Sequence, residues 1–326
     1  MGKKVEDGGS PKTIHSGKIV IGLCTYHRNE LLGGALESLS RIDLPSDVAI
    51  EFVLVDNDPT GGAKPVFKAY LDDFSFKSYY FIEPNQGLVY ARNRVLEEAI
   101  KLNATEIAFF DDDEIVAENW LTALWNAYLK SPFGGVGGPA YRLLPPDHDV
   151  LLEKFWKNSS NCRARKDKYL ISTNNCLFSA NLVAKNGLNL RFDPFFNQIG
   201  GEDAKFALEA CFGGAQFSFV KEAVVVERFP KERATFPYLL KRHFGSGSLP
   251  PLIIRRLGIA GQKKRILTSV LSCVWRTAFI PLSLCLGKFQ FWKNLLWLMN
   301  AVGCLTGCFG YSYRYYKPKT SKMPKA

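Results

Sequence analysis

The sequence predicts an α/β protein built on a parallel sheet with helices on both faces, and three observations predict it. Short apolar runs alternate with stretches of helical periodicity four times between residues 18 and 110, the pattern of parallel strands joined by crossover helices. Each apolar run ends in a polar cluster, and ligands in such sheets bind beyond the carboxyl ends of the strands. A chain of 326 residues with a hydrophobic fraction of 47% can bury a sizeable core.

The elements follow in order. Lys18–Cys24 is a buried strand ending in the polar turn Thr25–Glu30, and Leu31–Arg41 is a helix because Leu32, Ala35, Leu36 and Leu39 recur at helical spacing. Ile50–Asp56 is a second strand, stopped by the turn formers Asn57 to Gly62, and Lys64–Phe74 is a second helix. Ser78–Ile82 is a third strand, Leu88–Leu102 a third helix and Glu106–Phe110 a fourth strand running into Asp111. The clusters Thr25–Arg28, Asp56–Asp58, Asn85–Gly87 and Asp111–Glu114 then share one edge and form a nucleotide crevice. Further on, Gly135–Tyr141, Leu170–Ser179 and Gln216–Val226 read as short strands around Gly200-Gly201-Glu202-Asp203 and a helix over Asp203–Cys211, an acceptor half of the same domain.

The last third changes character. Ile266–Gly287 carries one charge, Arg276, and Asn294–Tyr313 carries none; each is about the 20 residues that span a bilayer core. Trp292, Trp297, Tyr311, Tyr313, Tyr315 and Tyr316 sit near the run ends, as interfacial aromatics do. These runs predict a hydrophobic helical hairpin with a tight turn near Lys288–Lys293 and both outer ends cytoplasmic. A pair of core or interfacial helices is the other reading, favoured by Pro281, Arg276 and several glycines.

The formal charge of +11 lies largely at the two ends of the chain and flanks these apolar runs. That distribution favours anionic headgroups over nucleic acid, whose readers carry their basic residues on one folded face. Eight cysteines lack Cys-x-x-Cys spacing and a histidine at zinc-ligand spacing, so they read as reduced apolar thiols. Residues 1–17 read as a disordered leader without the apolar core of a secretory signal. Gly-x-Gly-x-x-Gly and Gly-x-x-x-x-Gly-Lys-Ser/Thr loops are both absent, which argues against dinucleotide and P-loop sites.

Asp111-Asp112-Asp113-Glu114 is the strongest chemical signal. Four acids after Ile107–Phe110 would repel one another at the end of a buried strand, and a divalent cation removes that cost. Mg2+ or Mn2+ suits hard carboxylate oxygens completed by phosphate. On an extended segment Asp111 and Asp113 would face the crevice together. A solvated acidic loop leading into the next helix is the plainer alternative.

Six segments in order resemble the family 2 glycosyltransferases of GT-A fold, in particular bacterial exopolysaccharide glucosyltransferases of the succinoglycan type. They are Cys24-Thr25-Tyr26-His27-Arg28, Val55-Asp56-Asn57-Asp58, Gln86 through Asn93, Phe110 through Glu114, Gly200 through Asp203, and Glu227-Arg228-Phe229-Pro230 with Arg233. The resemblance covers roughly residues 18–250. It implies that Thr25, Tyr26, Arg28, Asp56, Gln86, Gly87, Arg92, Asn93 and Asp112 bind a nucleotide-sugar, with Asp56 accepting from a base N–H. It implies Asp113 as metal ligand, with Asp111 also open because the triple run leaves the register ambiguous. Asp203 would be the base of an inverting transfer, taking the acceptor hydroxyl's proton while the metal stabilises the departing diphosphate. Glu202, Asn174, Arg233 and Arg242 are expected on the acceptor side. Lys241, Arg242 and His243, before a flexible Gly245–Ser248 segment, would meet either a diphosphate or lipid headgroups.

The expected organisation is therefore a leader over 1–17, a GT-A domain over 18–250 and a basic, apolar membrane-associated segment over 251–326. The expected partners are a UDP-sugar, with glucose favoured by likeness, a lipid-linked glycan acceptor and the cytoplasmic face of a bacterial inner membrane, with no nucleic acid. The rivals are a nucleotidyltransferase that makes sugar nucleotides, which would show a Gly-rich phosphate loop after strand one, and a non-enzymatic membrane scaffold.

Overall fold

The computed structural model describes residues 17–130, 134–157 and 171–315. The predicted leader up to residue 16, Cys162, Leu170 and the basic tail from Tyr316 lie outside the described residues.

The predicted alternation forms the main sheet. Strand β1 (Lys18–Thr25) leads through helix α1 (Asn29–Ser40) to β2 (Ala49–Asp56). Helix α2 (Lys64–Ala69) leads on to β3 (Lys77–Ile82), and α3 (Leu88–Lys101) to β4 (Glu106–Phe110). These strands are mutually parallel in the order β3-β2-β1-β4, so the strand order reverses between β1 and β4 and opens a crevice at their carboxyl ends. Side-chain alternation sorts the core onto two faces. Ile19, Ile21 and Leu23 meet Leu32, Ala35, Leu36 and Leu39 of α1, whereas Val20, Val53 and Val55 meet Val89, Val95 and Leu96 of α3. Gly22 is required here, because a Cβ would land inside Val95.

Beyond β4 the sheet turns mixed, which corrects the all-parallel expectation. β5 (Glu114–Val116) and helix α4 (Trp120–Tyr128) come next. The single strand expected at Gly135–Tyr141 is two: β6 (Gly134–Gly137) in the main sheet and β7 (Ala140–Leu143) in a smaller one. Pro139, which has no N–H to donate to a ladder, stands at the break. Helix α5 (Val150–Lys157) precedes β8 (Asn175–Ser179), which runs antiparallel between β4 and β6. Helix α6 (Glu202–Phe212) follows, and the run Gln216–Val226 also divides, into β9 (Gln216–Phe219) beside β6 and β10 (Val225–Arg228) between β5 and β7.

The C-terminal third departs most from expectation. Gly245–Ser248 is not a flexible segment but the middle of α7 (Phe236–Arg256). After it come α8 (Gln262–Ala278), α9 (Ile280–Cys285) and α10 (Lys288–Cys308). Lys288–Lys293, expected as a turn, forms the start of α10; the chain turns instead at Gly287, whose φ is 99°. α7 and α10 pack backbone to backbone through glycine. A Cβ on Gly247 would strike the Asn300 carbonyl, one on Gly303 the Phe244 carbonyl and one on Gly307 the Ser248 carbonyl. Among the described residues no helix is long and apolar enough to cross a membrane, so the hydrophobic spanning hairpin is not supported. Those glycines serve helix contact.

Candidate active site

The crevice is built where β1 and β4 end. Thr25, the last residue of β1, donates its hydroxyl to Asp112 Oδ2 at 2.8 Å. Arg28 donates to Asp112 Oδ1 at 2.8 Å and Asp113 Oδ2 at 3.1 Å. The acidic segment is a turn rather than an extended strand, closed by Glu114 N–H donating to the Asp111 carbonyl at 3.1 Å. Alternation therefore does not pair Asp111 with Asp113. Asp112 and Asp113 face Arg28, while Asp111 Oδ1 accepts from Arg92 Nη2 at 2.9 Å. Burial and the neighbouring Asp111 and Asp112 push the Asp113 carboxyl up to about 7, with Arg28 opposing. Arg233 Nη1 stands 4.0 Å from Asp113 Oδ2.

Arg92 carries the geometry across to the next loop. Its other terminal nitrogen donates to Glu202 Oε1 at 2.5 Å, so one buried guanidinium joins the acidic turn to the first turn of α6. Burial alone would lower its pKa; Asp111, Glu202 and Asp203 outweigh that and hold it fully charged. Asp203 is next in the chain and half-buried. Ser172 donates its hydroxyl to Asp203 Oδ2 at 2.7 Å and Ala204 N–H donates to Oδ1 at 2.7 Å. Gly200 and Gly201, with φ of 75° and 90°, make the left-handed approach that aims this turn.

Among the described residues no group of three or more His, Cys, Asp or Glu side chains could hold a metal, so an all-protein cage is absent. Magnesium-type sites need only one or two carboxylates beside substrate phosphate. A buried Asp113 raised by its like-charged neighbours, and an Asp111 whose side chain is 34% exposed, fit that smaller requirement.

A profile of glycosyl transferase family 2 matches residues 20–186, just over half of the chain. The chain belongs to glycosyl transferase family 2. Succinoglycan biosynthesis protein ExoM of Rhizobium meliloti (strain 1021) is similar, 28% identical over 240 residues that cover 72% of this chain and 74% of that protein. Two solved structures share the fold. The mannosyltransferase PcManGT from Pyrobaculum calidifontis, in complex with GDP-Man and Mn2+, has a TM-score of 0.56 at 16% identity, covering 94% of this chain and 78% of its own. TarS 1-349 of S. aureus, in complex with UDP, has a TM-score of 0.50 at 14% identity, covering 91% and 93%. The fold is thus a GT-A-like α/β fold with a mixed sheet.

In this glycosyltransferase several expected site residues turn inward. Asp56 is fully buried, and its oxygens accept from Asp58 N–H and Ala63 N–H at 2.9 Å each and from the Tyr80 hydroxyl at 2.6 Å. It organises the loop after β2 and leaves no exposed oxygen for a base. Asp58 instead lines a 210 Å³ pocket with His27, Asn29, Gly62 and Ala63. Asn93 exchanges two 2.9 Å hydrogen bonds with the Phe192 backbone, so its amide is engaged within the fold. Glu202, expected at the acceptor, is buried on Arg92. Arg92 itself bridges carboxylates rather than lying open to a phosphate.

Other positions keep to the rim. Gln86 donates to the Tyr26 hydroxyl at 2.6 Å, and Gly87 N–H donates to Asn57 Oδ1 at 2.6 Å. A Cβ on Gly87 (φ 134°) would overlap the Asn197 amide. Asn174 donates to Glu114 Oε1 at 2.9 Å, beneath the acidic turn. Arg242 lies exposed on α7 with its guanidinium 5.7 Å from the Tyr315 ring centroid, and Arg233 faces the acidic turn rather than the Asp203 side. Arg228 donates to the Leu31 carbonyl at 2.6 Å across Gly34 and bonds Asp113 O through its backbone N–H at 2.8 Å. Ser172 escaped the sequence reading, whereas Asp58 entered it only as part of the Asp56–Asp58 cluster at the crevice edge. Ser172 is one of many loop serines, and no local spacing links it to Asp203.

Proposed function

We propose that this family 2 glycosyltransferase moves a hexose from a UDP-sugar onto a lipid-linked glycan, with inversion at the anomeric carbon, in cell-surface polysaccharide synthesis. One observation carries the reading: Arg92 binds Asp111 and Glu202 at once, so the acidic turn and the Asp203 turn open on one crevice. A donor diphosphate beside Asp113 and an acceptor hydroxyl beside Asp203 would then be a sugar's width apart. Likeness to the succinoglycan biosynthesis protein supports polysaccharide synthesis in a bacterium. The UDP and GDP-Man complexes of TarS and PcManGT support a nucleotide-sugar donor in general.

In this reading Thr25 and Arg28 hold Asp112 and Asp113 in position, and Arg28 and Arg233 add positive charge where a diphosphate would lie. Tyr26, Gln86, Gly87 and Asp58 line the nucleotide side. Mg2+ or Mn2+ on Asp113, with Asp111 beside it, would supply charge stabilisation to the leaving diphosphate. Asp203, aimed by Ser172 and the Ala204 N–H, takes the proton from the acceptor hydroxyl at Oδ1 or Oδ2. Glu202 and Arg92 keep that turn in register. Asn174 braces the acidic turn through Glu114, and Arg242 is left to the headgroup of a lipid-borne acceptor.

The deciding experiment is transfer of radiolabelled sugar from UDP-hexoses and GDP-mannose to a lipid extract, with and without manganese. Metal-dependent labelling of lipid from a UDP-hexose is the expected result. Labelling from GDP-mannose alone would replace the donor, and formation of UTP from pyrophosphate without transfer would overturn the reading.

A further inference from the structure

Helices α8 and α9 are built inside out. Leu267 and Leu271 are 60% exposed, Val274 64% and Trp275 66%, while the one buried residue of α8 is Ser269. In α9, Leu282 and Leu284 are more than half exposed, and the buried residue is Ser283. A helix in water turns its apolar stripe to the core; here that stripe faces outward and the serines are the buried residues. Asn294 of α10 donates to the Arg276 carbonyl at 2.9 Å on the inner side. Such polarity is stable only if the outer medium is itself apolar.

Charge identifies that medium. The chain has no Asp or Glu after Glu232, and exposed Lys263, Lys264 and Lys288 flank the apolar face at its two ends. A second copy would bring the same cations against each other, whereas an anionic lipid surface matches both the stripe and its basic ends. Neither helix is long and apolar enough to cross, so the contact is with one leaflet.

We propose that the outward face of α8 and α9 is a monotopic docking surface: its leucines and Trp275 enter the acyl boundary of one leaflet while the flanking lysines meet anionic headgroups. It deepens the reading of a lipid-borne acceptor and rests on it only for its purpose. The test is flotation of the full chain with vesicles of phosphatidylglycerol and phosphatidylcholine, against phosphatidylcholine alone. The wild type should float with the anionic vesicles and be released by salt. The double variant Leu271→Glu/Trp275→Glu should lose at least tenfold in partition with its thermal transition unchanged, and Leu267→Gln serves if that variant fails to fold. Lys263→Ala/Lys264→Ala should abolish the preference for anionic lipid.

Equal flotation of wild type and apolar-face variants would overturn the proposal. So would a lipid-independent dimer that these variants dissociate, which would assign the face to a second copy. Thermal shift with UDP-sugar and manganese separates the two readings. Donor binding without flotation sinks only the lipid surface; flotation without binding or transfer of any nucleotide-sugar sinks only the enzymatic reading.

Discussion

Arg92 Nη1 lies 2.5 Å from Glu202 Oε1, an ion pair whose side chains are 5% and 8% exposed, and this contact ties α3 to the first turn of α6. A buried charge that loses its partner costs far more than the intact pair contributes. Arg92→Ala leaves both Asp111 and Glu202 unpaired and should destabilise the fold by about 3–5 kcal/mol, read by chemical denaturation. Glu202→Gln, which keeps a hydrogen-bond acceptor for Arg92, should cost clearly less. Equal stabilities for Arg92→Ala and wild type would show that the bridge does not hold the crevice together.

Asp203→Asn should lower the transfer rate by roughly 10²–10⁴-fold, the usual worth of a positioned general base, with donor affinity by thermal shift unchanged. Ser172→Ala removes one hydrogen bond to that carboxylate, a loss of about 1 kcal/mol or fivefold in rate. Retained turnover in Asp203→Asn would remove Asp203 from the chemistry.

Asp113 makes a pH prediction whose sign is definite. Its folded-state carboxyl is raised to about 7 from an ordinary 3.8, so between those values the folded chain binds more protons than the unfolded one. Without metal, its contribution therefore destabilises the fold progressively as pH rises from about 4 to about 7. Asp113→Asn should flatten that part of the profile and raise the melting temperature at pH 8. Manganese affinity should run the other way, falling as pH drops through 7 because the ligand must be ionised. An unchanged melting profile in Asp113→Asn would remove this carboxyl as the source.

The α7–α10 contact is a steric prediction. Gly247 and Gly303 each face a carbonyl of the opposite helix with no room for a Cβ. Either glycine changed to alanine should cost about 1–3 kcal/mol by overpacking, whereas Gly258→Ala, where no neighbour stands within 4 Å, tests the φ of 67° alone. A Gly303→Ala protein as stable as wild type would mean the helices separate easily.

Much of the fold was legible locally. The four residues of α1 picked by spacing, Leu32, Ala35, Leu36 and Leu39, are the four it buries, because amphipathic period and burial are the same fact seen twice. Helix α4 carries the same local signal in Trp120, Leu121, Leu124, Trp125 and Tyr128, which recur at helical spacing and are the residues it buries. In the C-terminal third, apolar length pointed to spanning, whereas glycines on facing helices redirected that surface onto α7. The site was legible as a set of loops and not as a set of free oxygens. Asp56, Asn93 and Glu202 have the right chemistry, but Tyr80, Phe192 and Arg92 reach them from 24, 99 and 110 residues away.

The alternation of strands and helices up to β4 follows from periods of 2 and 3.6 residues, which neighbouring positions encode without reference to distant ones, and the polar edge and the acidic run stand in the sequence itself. Which carboxylates stay open, that Ser172 aims Asp203, and that α8 wears its leucines outward depend on pairings between remote segments. Such contacts form when layers pack, and a one-dimensional pattern holds no record of which buried donor will claim which oxygen.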